Sequence, residues 1–237
     1  MPTASIDIVA NPERLNALYE TELLDSPPEE AFDRLTRLAS RIVKAPVALV
    51  SLVDGDRQFF KSAVGLPDPW ASDRETPLSH SFCQHVVATG KNLIVSDARQ
   101  HPLVFDNLAI PDLNVIGYLG IPLIDSSGHG LGSFCVIDGQ PREWSEDEIE
   151  ILKELSKSVM TEIELRKELR QRKCVELELQ KVNKSLDTNN RHLNRITEFA
   201  ASTIDYTLDA VQRGANESEI LSYLGSARHA LSRRNFN

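Results

Sequence analysis

The chain has 237 residues, of which 41% are apolar and 26% charged, enough to bury the core of one or two domains. Its net charge is −9, and residues 1–150 carry 23 Asp/Glu against 11 Lys/Arg. This acidic part argues against nucleic-acid binding, which depends on basic surface that neutralises phosphates.

The N-terminus and the cysteines indicate the compartment. Residues 1–11 lack the basic and apolar regions of a secretory signal, and no apolar run approaches the roughly 20 residues of a membrane helix. The cysteines Cys83, Cys135 and Cys174 are odd in number and far apart, which fits neither a disulfide framework nor a zinc site. We therefore expect a cytoplasmic protein that binds no metal, no membrane and no nucleic acid.

Predicted elements of the first part alternate between helix and strand. Ser26-Pro27-Pro28-Glu29 is predicted to start a helix, with Ser26 as its cap and the two prolines in its first turn, and an apolar stripe follows. The stripe consists of Phe32, Leu35, Leu38, Ala39 and Ile42. Strands are expected over 46–53, 58–64, 92–97, 115–124 and 130–138, and one helix over 79–89. The pattern predicts an α+β fold with a predominantly antiparallel sheet.

The second part of the chain reads as long helix. All 12 prolines lie at or before Pro141, and no glycine lies between Gly139 and Gly214. Ser145-Glu146-Asp147-Glu148 forms a capping box at the start of this helix. Beyond Gly214 a short helix is expected from Ile220 to Arg233.

A heptad seam runs along the predicted long helix, with apolar spacings that alternate between three and four residues. The seam consists of Leu179, Val182, Leu186, Asn189, Leu193, Ile196 and Ala200. A polar residue such as Asn189 inside a seam costs stability but fixes register. Since the helix is too long to lie on one small domain, we expect a coiled-coil homodimer.

Several segments in order resemble a GAF domain of bacterial signal transduction. They include ETPLSHSFCQHVVATGKNLIVSDARQHPLVFDN, then GYLGIPL and LGSFCVID. The resemblance implies a six-stranded antiparallel sheet flanked by helices, with a pocket on one side of the sheet. The chain would then divide into an N-terminal helical extension (1–26), a GAF-like sensor domain (27–160), a dimerisation helix (161–213) and a C-terminal helix (214–237).

The resemblance also implies partners and excludes some chemistries. Such domains commonly stand before histidine kinases of two-component systems, diguanylate cyclases and serine phosphatases, so the expected output partner is one of these. Bilin-binding members carry a cysteine where this sequence has HPLVFDNLAI, so no covalent bilin or other cofactor is expected. Free methionine sulfoxide reductases also need a cysteine there, and the Asn-Lys signature of cyclic-nucleotide-binding members is absent.

These observations predict a non-enzymatic sensory module that detects a small ligand or partner and passes its state through a dimeric helix. Two alternatives stay open. One is a redox enzyme or redox sensor that uses Cys83 and Cys135, provided that the two thiols are adjacent. The other is a dimerisation scaffold without a ligand. The candidate pocket residues are Phe60, Phe82, Cys83, Val104, Tyr118 and Cys135.

Overall fold

The computed structural model describes residues 4–234 and divides into two compact units, one ending at Arg170 and one beginning at Gln171. Its strands are β1 (Val47–Val53), β2 (Arg57–Val64), β3 (Glu75–Pro77), β4 (Leu93–Val95), β5 (Gly117–Ile124) and β6 (Gly130–Asp138). Its helices are α1 (Ala4–Val9), α2 (Pro12–Glu20), α3 (Glu30–Val43), α4 (Trp70–Asp73), α5 (Cys83–Thr89), α6 (Ala109–Leu113), α7 (Glu146–Gln212) and α8 (Glu217–Arg234).

The strands form one antiparallel sheet in the order β3-β2-β1-β6-β5-β4. Strand β1 is almost wholly apolar because it lies near the middle of the sheet and is covered on both faces. The turn after it closes as expected, since the Asp54 N–H donates to the Arg57 carbonyl at 2.8 Å. The predicted α+β fold with a six-stranded antiparallel sheet and a long following helix is confirmed. Strand β3, only three residues long, is not predicted by the sequence pattern.

One face of the sheet is covered by α3 and by the first turns of α7, whose Leu152 and Val159 join the same buried cluster. The helix start predicted at Ser26 is wrong, because the Ser26 hydroxyl donates to the Leu23 carbonyl and accepts from Lys61, and α3 begins only at Glu30. The predicted stripe of α3 is also partly wrong. Leu38 and Ile42 are 39% and 45% exposed, and Thr36 is buried in their place. The reason is a polar contact across the interface, because the Thr36 hydroxyl lies 2.8 Å from the Ser62 hydroxyl of β2.

The opposite face is covered by α5 and α6. The single helix predicted over 79–89 is instead a 3-10 turn, Leu78–His80, followed by α5. Ser81 separates the two because its backbone is extended, and its hydroxyl accepts a hydrogen bond from the Gln84 N–H at 3.1 Å. That hydrogen bond caps the N-terminal end of α5, so a new helix begins after the 3-10 turn. Gly90 ends it in the left-handed conformation, with φ of 63°.

The capping box at the start of α7 is confirmed. The Ser145 N–H donates to Glu148 Oε2 at 2.9 Å, and the Glu148 N–H donates to Ser145 Oγ at 3.2 Å. Helix α7 then continues without a break for 67 residues. Helix α8 begins three residues before its predicted start, because the Asn216 side chain accepts from the Glu219 N–H at 3.0 Å.

The second unit consists of the remainder of α7 and of α8, and these two helices contact each other. The rings of Tyr206 and Tyr223 contact each other with centroids 4.0 Å apart and planes tilted by 32°, and Ala210 and Ala227 are buried. The seam residue Leu193 is 57% exposed in the single chain, as is Leu179. The coiled coil and the dimer therefore stay predictions. Within residues 4–234 no helix combines the length and the apolar character that crossing a membrane would require.

Candidate functional site

A small cavity lies between the sheet and the α5–α6 side of the first unit. Its volume is about 40 Å³, room for one or a few water-sized molecules, far less than the several hundred cubic ångströms of a drug-sized site. The lining is apolar apart from a few uncharged or titratable groups, and it contains no Lys, Arg, Asp or Glu. The lining residues are Val47, Leu49, Gln58, Phe60, Leu66, Pro67, His80, Phe82, Cys83, Ala109, Leu113, Val115, Tyr118, Cys135 and Ile137.

A row of paired residues across the sheet forms the floor of the cavity. Cys135 of β6 lies opposite Leu49 of β1 on one side and opposite Gly120 of β5 on the other. Gly120 leaves space for the ring of Tyr118, since a Cβ at position 120 would lie 2.3 Å from the Tyr118 hydroxyl oxygen. The glycine thereby directs the tyrosine hydroxyl toward the thiols.

The two buried cysteines meet over this floor. Cys83 begins α5 above the sheet, and its Sγ lies 3.9 Å from Cys135 Sγ. The Tyr118 hydroxyl lies 3.4 Å from Cys83 Sγ and 3.3 Å from the Ser133 hydroxyl. Both thiols are free, because a disulfide would bring the sulfur atoms to about 2.05 Å. The adjacency that the redox alternative requires is therefore present.

The two thiols differ in acidity. The hydrogen bond with Cys135 lowers the pKa of Cys83, against burial, which raises it, and the Tyr118 hydroxyl lowers it further. Burial raises the pKa of Cys135 well above that of an ordinary thiol, and burial also raises the pKa of Tyr118. Of the pair, Cys83 is thus the residue that loses its proton first.

A buried polar network borders the cavity at Gln58, a residue that the sequence reasoning missed. Its Oε1 accepts from the Ser81 hydroxyl at 2.7 Å and from the Ser51 hydroxyl at 3.3 Å. Its Nε2 donates to the Thr76 hydroxyl at 2.7 Å. Since each polar atom has a partner, the network tolerates burial. The only signal in the sequence was a polar residue inside an apolar strand.

His80 stands on the polar side of the cavity, where α4 and α6 approach each other. Its Nε2 lies 3.0 Å from an Asp112 carboxylate oxygen, and its Nδ1 lies 3.0 Å from the Ser79 hydroxyl. Its ring contacts that of Trp70 at a centroid distance of 5.5 Å. Through these contacts His80, which lines the cavity, joins the two short helices α4 and α6.

Five of the six candidate pocket residues line the cavity: Phe60, Phe82, Cys83, Tyr118 and Cys135. Val104 does not line it, although it is buried in the same apolar cluster. The alternation of strands could indicate shared faces but not how the connecting segment around Val104 packs. Within the described residues, no three His, Cys, Asp or Glu side chains are grouped so that they could hold a metal ion.

Comparisons with known proteins agree with this architecture. A cyclic di-GMP phosphodiesterase of Pseudomonas aeruginosa is 33% identical over 141 residues, which cover 58% of this chain and 23% of that enzyme. The chain therefore matches less than a quarter of that relative's length. The GAF domain of an Acinetobacter phosphoenolpyruvate-protein phosphotransferase superposes with a TM-score of 0.50 at 17% identity, covering 67% of this chain and 96% of that one.

A second similar structure is the free methionine-R-sulfoxide reductase of Neisseria meningitidis, with a TM-score of 0.49, 18% identity, and coverage of 66% of this chain and 90% of that one. The sequence model of the GAF domain matches residues 27–163, which is more than half of the chain. The matched segment contains the whole sheet, the cavity and the first turns of α7. The chain belongs to the GAF domain family, whose members are mostly sensory and regulatory modules.

Proposed function

We propose that this chain is a non-enzymatic regulatory module in which the state of the cavity is passed to α7. The observation that carries the proposal is the alternation along β6. Cys135 and Ile137 line the cavity, whereas Phe134 and Val136 face the opposite way, into the cluster that contains Leu152 of α7. Alternate side chains of β6 thus contact the cavity on one face of the sheet and α7 on the other. A shift of β6 at the cavity would therefore also change its packing against α7.

The chemistry of the lining favours a small, largely uncharged ligand. No fixed charge stands in the lining to pair with a phosphate or a carboxylate, while Gln58, Tyr118 and the thiols offer hydrogen bonds. At about 40 Å³ the cavity must widen for anything larger than a few water-sized molecules. The contacts of His80 with Asp112 and Trp70 are the ones that would open.

We further propose that two copies pair along the seam of α7 and that the pair acts in the cytoplasm on a kinase, cyclase or phosphatase. The exposure of large apolar side chains along one row of the helix supports the pairing, since such rows are covered in stable coiled coils. The free thiols support the compartment, because a reducing environment keeps cysteines unpaired.

Native mass spectrometry of the full chain tests the proposal. We expect the mass of a dimer carrying a small adduct, and we expect Ala109→Phe, which fills the cavity, to lose the adduct while keeping the dimer. A monomer at all concentrations would contradict the pairing. A dimer that never carries an adduct, whatever small neutral compounds are supplied, would favour a dimerisation scaffold.

A second candidate function, a thiol-dependent reductase, is supported by the 3.9 Å separation of Cys83 and Cys135. Such an enzyme needs one thiolate to attack and a second thiol to release the product. An assay of free methionine sulfoxide reduction with a dithiol reductant decides between the two functions. Repeated turnover that is lost in both Cys83→Ser and Cys135→Ser would replace the regulatory proposal.

A further inference from the structure

We propose that Cys83 and Cys135 form a reversible disulfide when hydrogen peroxide enters the cavity, which makes the pair an oxidation-sensitive modification site. The proposal rests on the proposed function only for its consequence at α7, since the reaction at the thiols needs nothing outside the first unit. It assigns the regulation of the cavity to a covalent bond between α5 and β6.

The geometry brings the two sulfur atoms within reach of a bond. They contact each other directly at 3.9 Å, so the bond length of about 2.05 Å requires a relative movement of about 1.9 Å. Cys83 belongs to a short helix and Cys135 to a central strand, 52 residues apart in the chain. The bond would therefore tie a covering element to the middle of the sheet.

The surroundings assign different roles to the two thiols. Cys83 loses its proton more readily, and the Tyr118 hydroxyl, 3.4 Å away, is placed to donate a hydrogen bond to its thiolate. Ser133 lies 3.3 Å from the same hydroxyl and holds it in position. Cys135 keeps its proton and serves as the resolving thiol.

The chemistry balances with hydrogen peroxide as the only oxidant. The Cys83 thiolate attacks one peroxide oxygen, the O–O bond breaks, and the products are a sulfenic acid and hydroxide. The Cys135 thiol then attacks the sulfenic sulfur, the S–O bond breaks, and the departing hydroxide takes the thiol proton and leaves as water. The proton that Cys83 lost on ionisation combines with the hydroxide of the first step to give the second water. In sum, two thiols and one hydrogen peroxide give one disulfide and two molecules of water, and a dithiol reductant reverses the change.

The size of the cavity makes the site selective. A volume of about 40 Å³ admits a molecule only slightly larger than water, and both thiols are buried. Cys174 on α7 is exposed and offers an internal comparison in the same molecule. We therefore expect a bulky maleimide to label Cys174 first, whereas hydrogen peroxide reaches Cys83.

The experiment uses the full chain with Cys174→Ser, treated with increasing hydrogen peroxide and then digested under non-reducing conditions. We expect an intrachain peptide pair joined at Cys83 and Cys135, with the chain lighter by about 2 Da because two hydrogens are lost, and full reversal by dithiothreitol. In Cys135→Ser we expect a sulfenic acid at Cys83 that a dimedone probe traps, and in Cys83→Ser no disulfide.

Two results would overturn the proposal. One is a Cys174→Ser chain whose two buried thiols stay free at peroxide concentrations that fully oxidise Cys174 in the unaltered chain. The other is a disulfide that links separate chains. If a serine variant does not fold, the peptide mapping of the Cys174→Ser chain still gives the answer. The oligomeric mass, measured before and after oxidation, tests the proposed function separately, because the disulfide can form in a chain that does not dimerise.

Discussion

The decisive contacts at the residue scale surround Tyr118. Its ring passes over Gly120 and contacts Phe82 at a centroid distance of 5.3 Å, and its hydroxyl reaches both Cys83 and Ser133. One glycine thus permits one buried tyrosine, and that tyrosine provides the polar partner of the more acidic thiol. The chemistry of the cavity depends on this small group, because the rest of the lining is mostly hydrocarbon.

Replacing Tyr118 by Phe removes the hydroxyl near Cys83 Sγ while keeping the ring. We expect the pH at which Cys83 reaches half of its maximal rate of oxidation by hydrogen peroxide to rise, because its thiolate loses a hydrogen-bond donor. The rate is measured as the loss of free thiol in a Cys174→Ser background. Tyr206→Phe, in the second unit, is the control, and an equal midpoint in both variants would contradict the role of the hydroxyl.

Gly120→Ala places a methyl group within 2.3 to 2.7 Å of three atoms at the end of the buried Tyr118 ring. The ring must move out of its position, and we expect a loss of about 1–3 kcal/mol in the free energy of unfolding, as for other overpacked cores. Gly55→Ala is the matched control, since its Cβ would meet only Leu15 at an ordinary 3.8 Å. Equal urea midpoints for the two variants would show that the close approach is not needed.

Buried charge matters at the scale of elements. Lys61 of β2 is fully buried, and its Nζ donates to the Ser26 hydroxyl at 2.6 Å, to the Pro27 carbonyl at 2.7 Å and to Glu29 at 2.5 Å. Glu29 also pairs with Arg166 of α7. One lysine therefore joins the strand to the segment that precedes α3, and the shared carboxylate extends the network to α7.

We expect Lys61→Met to lower the free energy of unfolding by about 1–3 kcal/mol, because buried acceptors at Ser26 and Pro27 lose their donor. Lys157→Met is a control of the same residue type, since Lys157 pairs with Glu154 on the exposed side of α7. Surface pairs of this kind contribute little, so its urea midpoint should stay nearly unchanged. A Lys61 variant as stable as this control would show that the network is dispensable.

Elements whose signals are local were predicted well. The capping box, the turn at Asp54-Gly55 and the strands β1, β2, β5 and β6 each depend on residues close in sequence. The helix predicted over 79–89 was wrong at Ser81. The extended backbone of this serine is accompanied by a hydrogen bond from its hydroxyl to Gln58, which is 23 residues away and which a local pattern does not reveal. Short strand β3 likewise exists through its pairing with β2 and not through its own composition.

Helix α7 is the feature that matters for the whole molecule, because it begins in the first unit and ends in the second. Its early residues are packed on the sheet, whereas the seam residues further on are exposed in the single chain. The proposed function relies on this continuity, because it requires a change at the packed end of α7 to be carried along the helix. The pairing of two copies remains the step to be tested.

Leu186→Glu places two like charges opposite each other in a dimer paired along the seam. Such juxtaposition costs several kcal/mol, so we expect the dissociation constant of the dimer to rise at least about 100-fold. Analytical ultracentrifugation over a dilution series measures it. Leu177→Glu is the matched control, because Leu177 is also exposed on α7 but lies outside the seam. Equal dissociation for the two variants would rule out this seam.

The sequence by itself determined the α+β class, the long helix and most strands, because periodicity, turn residues and breakers act over a few positions. It also supplied the resemblance that the match over residues 27–163 bears out. Only the tertiary structure decided that Cys83 and Cys135 touch, that Gln58 closes a buried network, and that Val104 stays away from the cavity. These contacts join distant parts of the chain, and they exist only once α5 has packed on the sheet and excluded water from the space between them.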